Sequence, residues 1–427
     1  MNKSDLKRLV CDRIDAESER ILAIGEKIFK KPEMGFREFD TSALVKEELE
    51  KLGIPCKSGL AVTGVKGNLK GRESLARVAV IGELDAVTCA THPGADPITG
   101  ATHACGHNIQ IAAMLGAAIG LSAVAGELDG DVCFFATPAE EYVEIGYREK
   151  LRERGDIEFF GGKQELIRIG AFDDIDMAMM VHAQGADDSN SFYMGARGLG
   201  FVAKTVNFIG KAAHAAAAPH EGVNALNAAM AAMMCIHAQR ETFRDADSVR
   251  VHPIITNGGD LVNVVPDKVT METYVRASSR EAMLDASAKV DRAIEGASHA
   301  IGAKCEIKNY KGYLPLLQSE ELSEVFASNA DYIEPAPKMV WGVNFPASTD
   351  IGDLGHIMPI IQPMGGGYRG SLHSAEFAVD DVKKAYLNPA KLMAMAVIDL
   401  LADGASRALE IKKNFKPLLT KEEYIEC

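Results

Sequence analysis

From Arg77 to about residue 184 the chain alternates short apolar runs with helical stretches, and each run stops on side chains able to bind a metal or move a proton. "RVAVIGELDA", "DVCFFATPAEE" and "DMAMMVHAQ" read as strands, and "IQIAAMLGAAIGLSAVA" (109–125) and "QELIRIGAF" read as helices. Nearly continuous apolar strands alternating with helices specify a largely parallel sheet covered on both faces. In such sheets ligands bind beyond the carboxyl ends of the strands. The first run ends on Glu83 and Asp85, the second on Glu140 and Glu141, and the third on His182. "THACGHN" sets Cys105 and His107 just before the helix that follows the first strand.

At 427 residues the chain exceeds one compact core, so two domains are expected. Hydrophobic residues at 47% and charged residues at 25% describe an ordinary globular protein. The net charge of -14, with no basic run, argues against nucleic acid as a partner. Eight scattered cysteines without a CxxC pair fit reduced thiols and a cytoplasmic location. Residues 1–31 read as an amphipathic helix, without the apolar centre and cleavage site of a signal peptide. The 109–125 stretch approaches membrane-spanning length. Its Ala and Gly content, with Asn108 placed to cap it, marks a buried core helix instead, so no membrane partner is expected.

Near Met194 the pattern changes. "GFVAKTVNFIG" reads as a strand and "EGVNALNAAMAAMMCIHAQ" as a helix. "VRVHPIITNGG" and "VNVVPDKVTMETYVRA" read as two strands joined by a Gly-Gly turn. "SREAMLDASAKVDRAIEGASHAIG" is a second helix, and "KCEIKNYKG" a closing strand. This βαββαβ order is a ferredoxin-like α+β unit. After it the α/β character resumes, so one larger α/β domain (1–194 and 313–427) is interrupted by an insertion at 195–312.

Thiolate, imidazole and carboxylate together form a borderline-soft donor set suited to Zn2+ or another first-row divalent ion. Cys105 and His107 can point the same way if their segment is extended. Adjacent glutamates in a strand face opposite sides, so one of Glu140 and Glu141 can bind metal while the other takes a proton. Asp85 suits a place behind the ligands, orienting an imidazole. A cysteine nucleophile would leave the glutamate pair and His182 without a task. The zinc-deaminase pattern fails for want of its PCxxC. The metal reading uses every residue.

With "KKPEMGFREFDTS", "GELDA", "HACGHN", "TPAEE", "GKAAHAAAAPHEGVNAL", "NVVP" and "SLHSAEF", the chain resembles the co-catalytic metallo-amidohydrolases over almost its whole length. That family includes aminoacylases, carboxypeptidases and indole-acetyl-amino-acid hydrolases. "RVHPIITNGGDLVNVVP", "ASTDIGDL" and Asn108 are most similar to the aminobenzoyl-glutamate hydrolase branch and related dipeptidases. The resemblance implies two divalent ions, Zn2+ or Mn2+. Cys105 would bridge them, His107, Glu141, His182 and His373 would complete the ligands, and Glu140 would be the general base with Asp85 behind. It further implies a lid and dimerisation domain that carries a polarising His214. Asn263 and Arg276 would hold substrate there, and a homodimer would form through an edge strand and the helix Ala225 to Ala238. His103 reads as structural, and Glu83, where relatives commonly have Asp, carries no role. The expected activity is hydrolysis of an amide bond in a small carboxylate-bearing substrate such as aminobenzoyl-glutamate or a dipeptide. N-acyl amino acids are the alternative, followed by a metal-free binding protein of the same fold.

Overall fold

The apolar runs become the strands of a six-stranded sheet in a computed structural model that describes residues 1–185 and 190–426. Its order is Cys56–Leu60, Gly64–Leu69, Asp131–Thr137, Arg77–Glu83, Met177–Met179, Ile360–Ile361. The last four strands are mutually parallel, and the first two form an antiparallel edge hairpin. A single β-α connection separates Arg77–Glu83 from its neighbour Asp131–Thr137, and its helix is His107–Ser122. That helix is apolar all round and buried for nearly its whole length among the helices Lys3–Ala16, Ser18–Phe29 and Asn388–Leu401. The long apolar stretch is thus a core element. Among the described residues no helix is long and apolar enough to cross a membrane.

Several local expectations need correction. The N-terminal stretch is two helices broken at Glu17, not one. Asn108 does not cap the core helix: Gly106 occupies the N-cap, and Asn108 turns its amide to donate to Gly25 O at 3.1 Å. The strand of the second run stops at Thr137, because Pro138 has no N–H for the ladder and Ala139 turns left-handed at φ 51°. Glu140 and Glu141 therefore lie in a loop, and strand alternation is not what separates them. The third run splits in two. Met177–Met179 stays in the main sheet, while His182–Gly185 pairs in parallel with Met364–Arg369 in a second sheet.

The chain divides into one unit of 1–196, 317–344 and 350–427 and another of Arg197–Leu316 with a returning segment Phe345–Thr349 that the sequence did not suggest. The inserted unit is an antiparallel sheet ordered Arg250–Val251, Lys268–Ala277, Gly200–Ile209, Lys304–Lys311, with Ile254–Asn257 also on Lys268–Ala277. The strand expected from "VNVVP" onward is confined to Lys268–Ala277, and 260–267 is loop. Lys268–Ala277 alternates buried and half-buried positions, the period of a sheet with one covered face. The helices Ala225–Ala238 and Arg280–Ile301 cover it through Ala228, Ala232, Ile236, Val290 and Ile294. Met230 and Met234, one helical turn apart, stay 56% and 70% exposed.

One charge lies inside this unit. Lys204 is 2% exposed, and its ammonium donates to Asp291 Oδ1 at 2.7 Å and Asn309 Oδ1 at 2.8 Å. Removing the partner of a buried charge strands it, whereas replacing that buried ion by an apolar group leaves only the part-exposed Asp291 behind. Asp291→Ala should cost about 3 kcal/mol, while Lys204→Met should stay within about 1 kcal/mol of wild type. Urea unfolding of both variants checks the asymmetry.

Candidate metal centre

The first strand delivers Asp85 two residues beyond its end, and Asp85 organises what surrounds it. Its Oδ1 accepts the backbone N–H of Glu140 at 3.1 Å, and its Oδ2 accepts that of Glu141 at 2.9 Å. Its backbone carbonyl accepts from His107 Nδ1 at 2.8 Å. With the ring proton held at Nδ1, a neutral His107 presents a lone pair at Nε2. His182 is set the same way: Nδ1 donates to Ala183 O at 2.8 Å, and Nε2 stands 3.5 Å from Cys105 Sγ.

Cys105 and His107 converge through a turn, not through the extended segment expected. Gly106 between them sits at φ 82°, where L side chains are strained, and a Cβ there would meet the Ala183 methyl at 2.7 Å. His373, itself at φ 60°, is tied into the same place by its backbone N–H on Ala104 O at 2.9 Å. Its Nε2 lies 3.0 Å from Glu141 Oε1.

Three groups follow, each with ligand atoms mutually within 4.8 Å: Cys105, His107 and His182; Cys105, Glu141 and His373; and Glu83, His107 and Glu140. Cys105 belongs to the first two, so one thiolate serves two neighbouring sets. His107 Nε2 and Glu141 Oε1 are buried without a hydrogen-bond partner. A sulfur, imidazole nitrogens and a carboxylate with orphaned lone pairs fit a pair of divalent cations of the Zn2+ or Mn2+ type.

The electrostatics agree. Burial alone would raise the Cys105 thiol, but His182 and His107 outweigh it and hold its pKa well below the ordinary value. Burial, then the charges of Glu83, Glu141 and Asp350, push Glu140 well above the usual carboxylate range. Burial and Cys105 raise Glu141. The Cys105 sulfur and the Glu141 carboxylate beside it raise His373 to about 11.

The remaining expected residues lie in the inserted unit. His214 is exposed, and its Nδ1 accepts from the backbone N–H groups of Ala216 at 3.2 Å and Ala217 at 3.1 Å. Its proton is therefore on Nε2, which faces outward as a donor. Asn263 is exposed, and its carbonyl holds Ala215 N at 2.9 Å. Arg276 is half-buried, donates to Ser348 Oγ at 2.7 Å, and lies over the rings of Phe201 and Tyr274.

Sequence reasoning missed a layer behind the ligands. Arg148, 1% exposed, donates to the carbonyls of Phe160 and Glu141 and so braces the loop of Glu140. Lys163, fully buried, pairs with Glu83 Oε1 at 2.6 Å and with Asp350. "FFGGKQ" carried a usable signal. A Cβ on Gly162 would fall 1.6 Å from Pro138 O, so only glycine lets this helix start against the Glu140 loop.

Residues 197–301 match the peptidase dimerisation domain. The mouse Xaa-Arg dipeptidase is 29% identical, over 98% of this chain and 94% of its own length. Among solved structures, a dinuclear metal-binding peptidase of family M20 from Bacillus subtilis aligns with a TM-score of 0.68 at 21% identity, covering 91% of this chain and 99% of that one. An aminobenzoyl-glutamate utilization protein from Klebsiella pneumoniae aligns at 0.69 and 17%, covering 91% and 98%.

Asp85 is the most economical point to disturb without touching a ligand. In Asp85→Asn one of the two oxygens becomes an amide that faces a backbone N–H. Metal affinity should fall about 10- to 100-fold, the usual cost of a lost supporting partner. Titration of the purified protein against a competing chelator measures it.

Proposed function

We propose, for a chain that is a relative of the M20 peptidases and amidohydrolases and an enzyme of that hydrolase class, that it cleaves an amide bond in a small carboxylate-bearing substrate with two divalent ions. The observation that carries this reading is the sharing of Cys105 by two ligand groups with Glu140 beside them. A dipeptide or aminobenzoyl-glutamate is the substrate we favour, in view of the dipeptidase identical at 29% over nearly the whole chain. N-acyl amino acids are the second choice.

Cys105, His107 and His182 would hold one ion, and Cys105, Glu141 and His373 the other. When bound, such ions acidify water and polarise a carbonyl. The chain's own groups do the rest. Glu140 accepts the proton of the attacking water and returns it to the leaving amine. Its raised pKa suits it to hold that proton between the two steps. His214 Nε2–H donates to the oxygen that gains charge as the carbonyl carbon becomes tetrahedral. Arg276 takes the substrate carboxylate, with Asn263 as a neutral partner. Asp85 keeps the His107 ring and the Glu140 loop in register through the bonds described above.

Glu140→Gln retains size and hydrogen bonding but cannot take the proton, so turnover should fall about 10²- to 10⁴-fold. Metal content by elemental analysis should stay at two ions. Dialysis against chelator should abolish hydrolysis of dipeptides, and Mn2+ or Zn2+ should restore it. Activity that survives chelation and is stopped by alkylation would make Cys105 a nucleophile instead.

The exposed Met230 and Met234 stripe and the sheet edge at Ile254–Asn257 supply an apolar face for a second copy. In such a dimer His214 serves the partner's metals. His214→Ala and Glu140→Gln chains, each inactive, are unfolded and refolded together in equal amounts. About a quarter of all sites should then recover, because half the dimers are mixed and each holds one intact site. No recovery after demonstrated exchange places His214 in its own subunit's site.

A further inference from the structure

Glu83 is buried and lies at the strand end, yet the reading above gives it no task. Its carboxylate is fixed from two sides: Oε1 accepts from Lys163 Nζ at 2.6 Å, and Oε2 accepts from Gln110 Nε2 at 3.0 Å. Lys163 is itself held by Asp350, which pairs with its ammonium and accepts its backbone N–H at 2.9 Å. This tether aims Glu83 Oε2 at His107 Nε2, 3.1 Å away.

The contact is not a hydrogen bond. His107 Nε2 has no hydrogen-bond partner despite that distance. The ring's proton is at Nδ1, engaged by the Asp85 carbonyl. In its neutral, metal-binding form the imidazole turns a lone pair towards a carboxylate oxygen inside a fully buried cluster. Two lone pairs so placed repel each other unless a cation stands against both. Metal–nitrogen and metal–oxygen bonds of about 2.1 Å would span such a gap at roughly 95°, an ordinary angle between neighbouring ligands. Glu140 belongs to the same group.

We infer that Glu83 is a further oxygen ligand to the ion at His107, with Lys163 and Asp350 as the positioning residues that aim it. This rests on the two-ion reading above. The longer side chain matters: an aspartate, one methylene shorter, would not bring its oxygen as far from the same backbone position. An added carboxylate makes the His107 site harder than its thiolate and imidazoles alone would make it, and moves its preference from Zn2+ towards Mn2+.

The test loads metal-free protein with Mn2+ for affinity, and with Co2+ for the visible absorption that reports coordination. Wild type should take two ions. Glu83→Gln should weaken one of them about 10- to 100-fold, and its Co2+-saturated spectrum should differ from wild type for that ion alone. Glu83→Asp retains the counter-charge of Lys163 and is the variant to read if Glu83→Gln does not fold. It should weaken the same ion. Both ions bound at wild-type affinity would overturn the assignment. So would weakened binding with an unchanged spectrum at saturation, which would leave Glu83 as a mere support. Wild type that takes fewer than two ions would instead overturn the two-ion reading on which the assignment stands.

Discussion

Asp85 is the point on which the candidate centre depends. One carboxylate accepts two consecutive backbone N–H groups, those of Glu140 and Glu141, and the same residue's carbonyl fixes the His107 ring. The proposed base, one candidate ligand of each set and the loop between them therefore share a single support. Buried at the end of a parallel strand, that carboxylate is satisfied from both sides, which offsets the cost of its burial. Its own pKa shows the balance. Burial pulls upward, and His107 with the Glu141 N–H pulls it below the ordinary value.

Around this support the cluster carries far more acid than base. Glu83, Asp85, Glu140, Glu141 and Asp350 are all buried, with Lys163 and Arg148 as the buried cations beside them. An apolar environment does not tolerate such an excess of carboxylates without counter-charge. Part of the strain appears in the raised pKa of Glu140 and of Asp350, the latter pushed by burial to about 6. Divalent ions would supply the rest. Structure and the proposed chemistry are thus coupled: the same excess charge that would gather cations raises the pKa of Glu140.

Much of this was legible in residue order. Cys105, His107, Glu140, Glu141 and His182 stood out because strands in α/β sheets end at the ligand site, and apolar runs mark where strands end. His373 was legible only through "SLHSAEF", since an exposed histidine after a long insertion has no strand to announce it. The detailed geometry was hidden for physical reasons. Pro138 and Ala139 end a strand that the run "DVCFFATPAEE" reads as carrying on to Glu141, and Gly106 makes by a left-handed turn what an extended segment was expected to make. Lys163 was hidden because a lysine opening a helix normally faces solvent. Its burial follows from Gly162, which seats that helix on the Pro138 carbonyl.

The chain's route through the fold bears on the order in which it can mature. Cys105 and His373 are 268 positions apart, and joining the ends of so long a flexible loop costs about 5 kcal/mol in chain entropy. The inserted domain shortens that loop by itself, because Leu316 N donates to Gly198 O at 3.3 Å and its entry and exit meet. As the polypeptide leaves the ribosome, Arg197–Leu316 emerges before His373 does. Nascent or truncated chains consequently carry Cys105, His107, Glu141 and His182 without His373. On the proposed two-ion reading, acquisition of a second metal would then mark a chain that has reached His373.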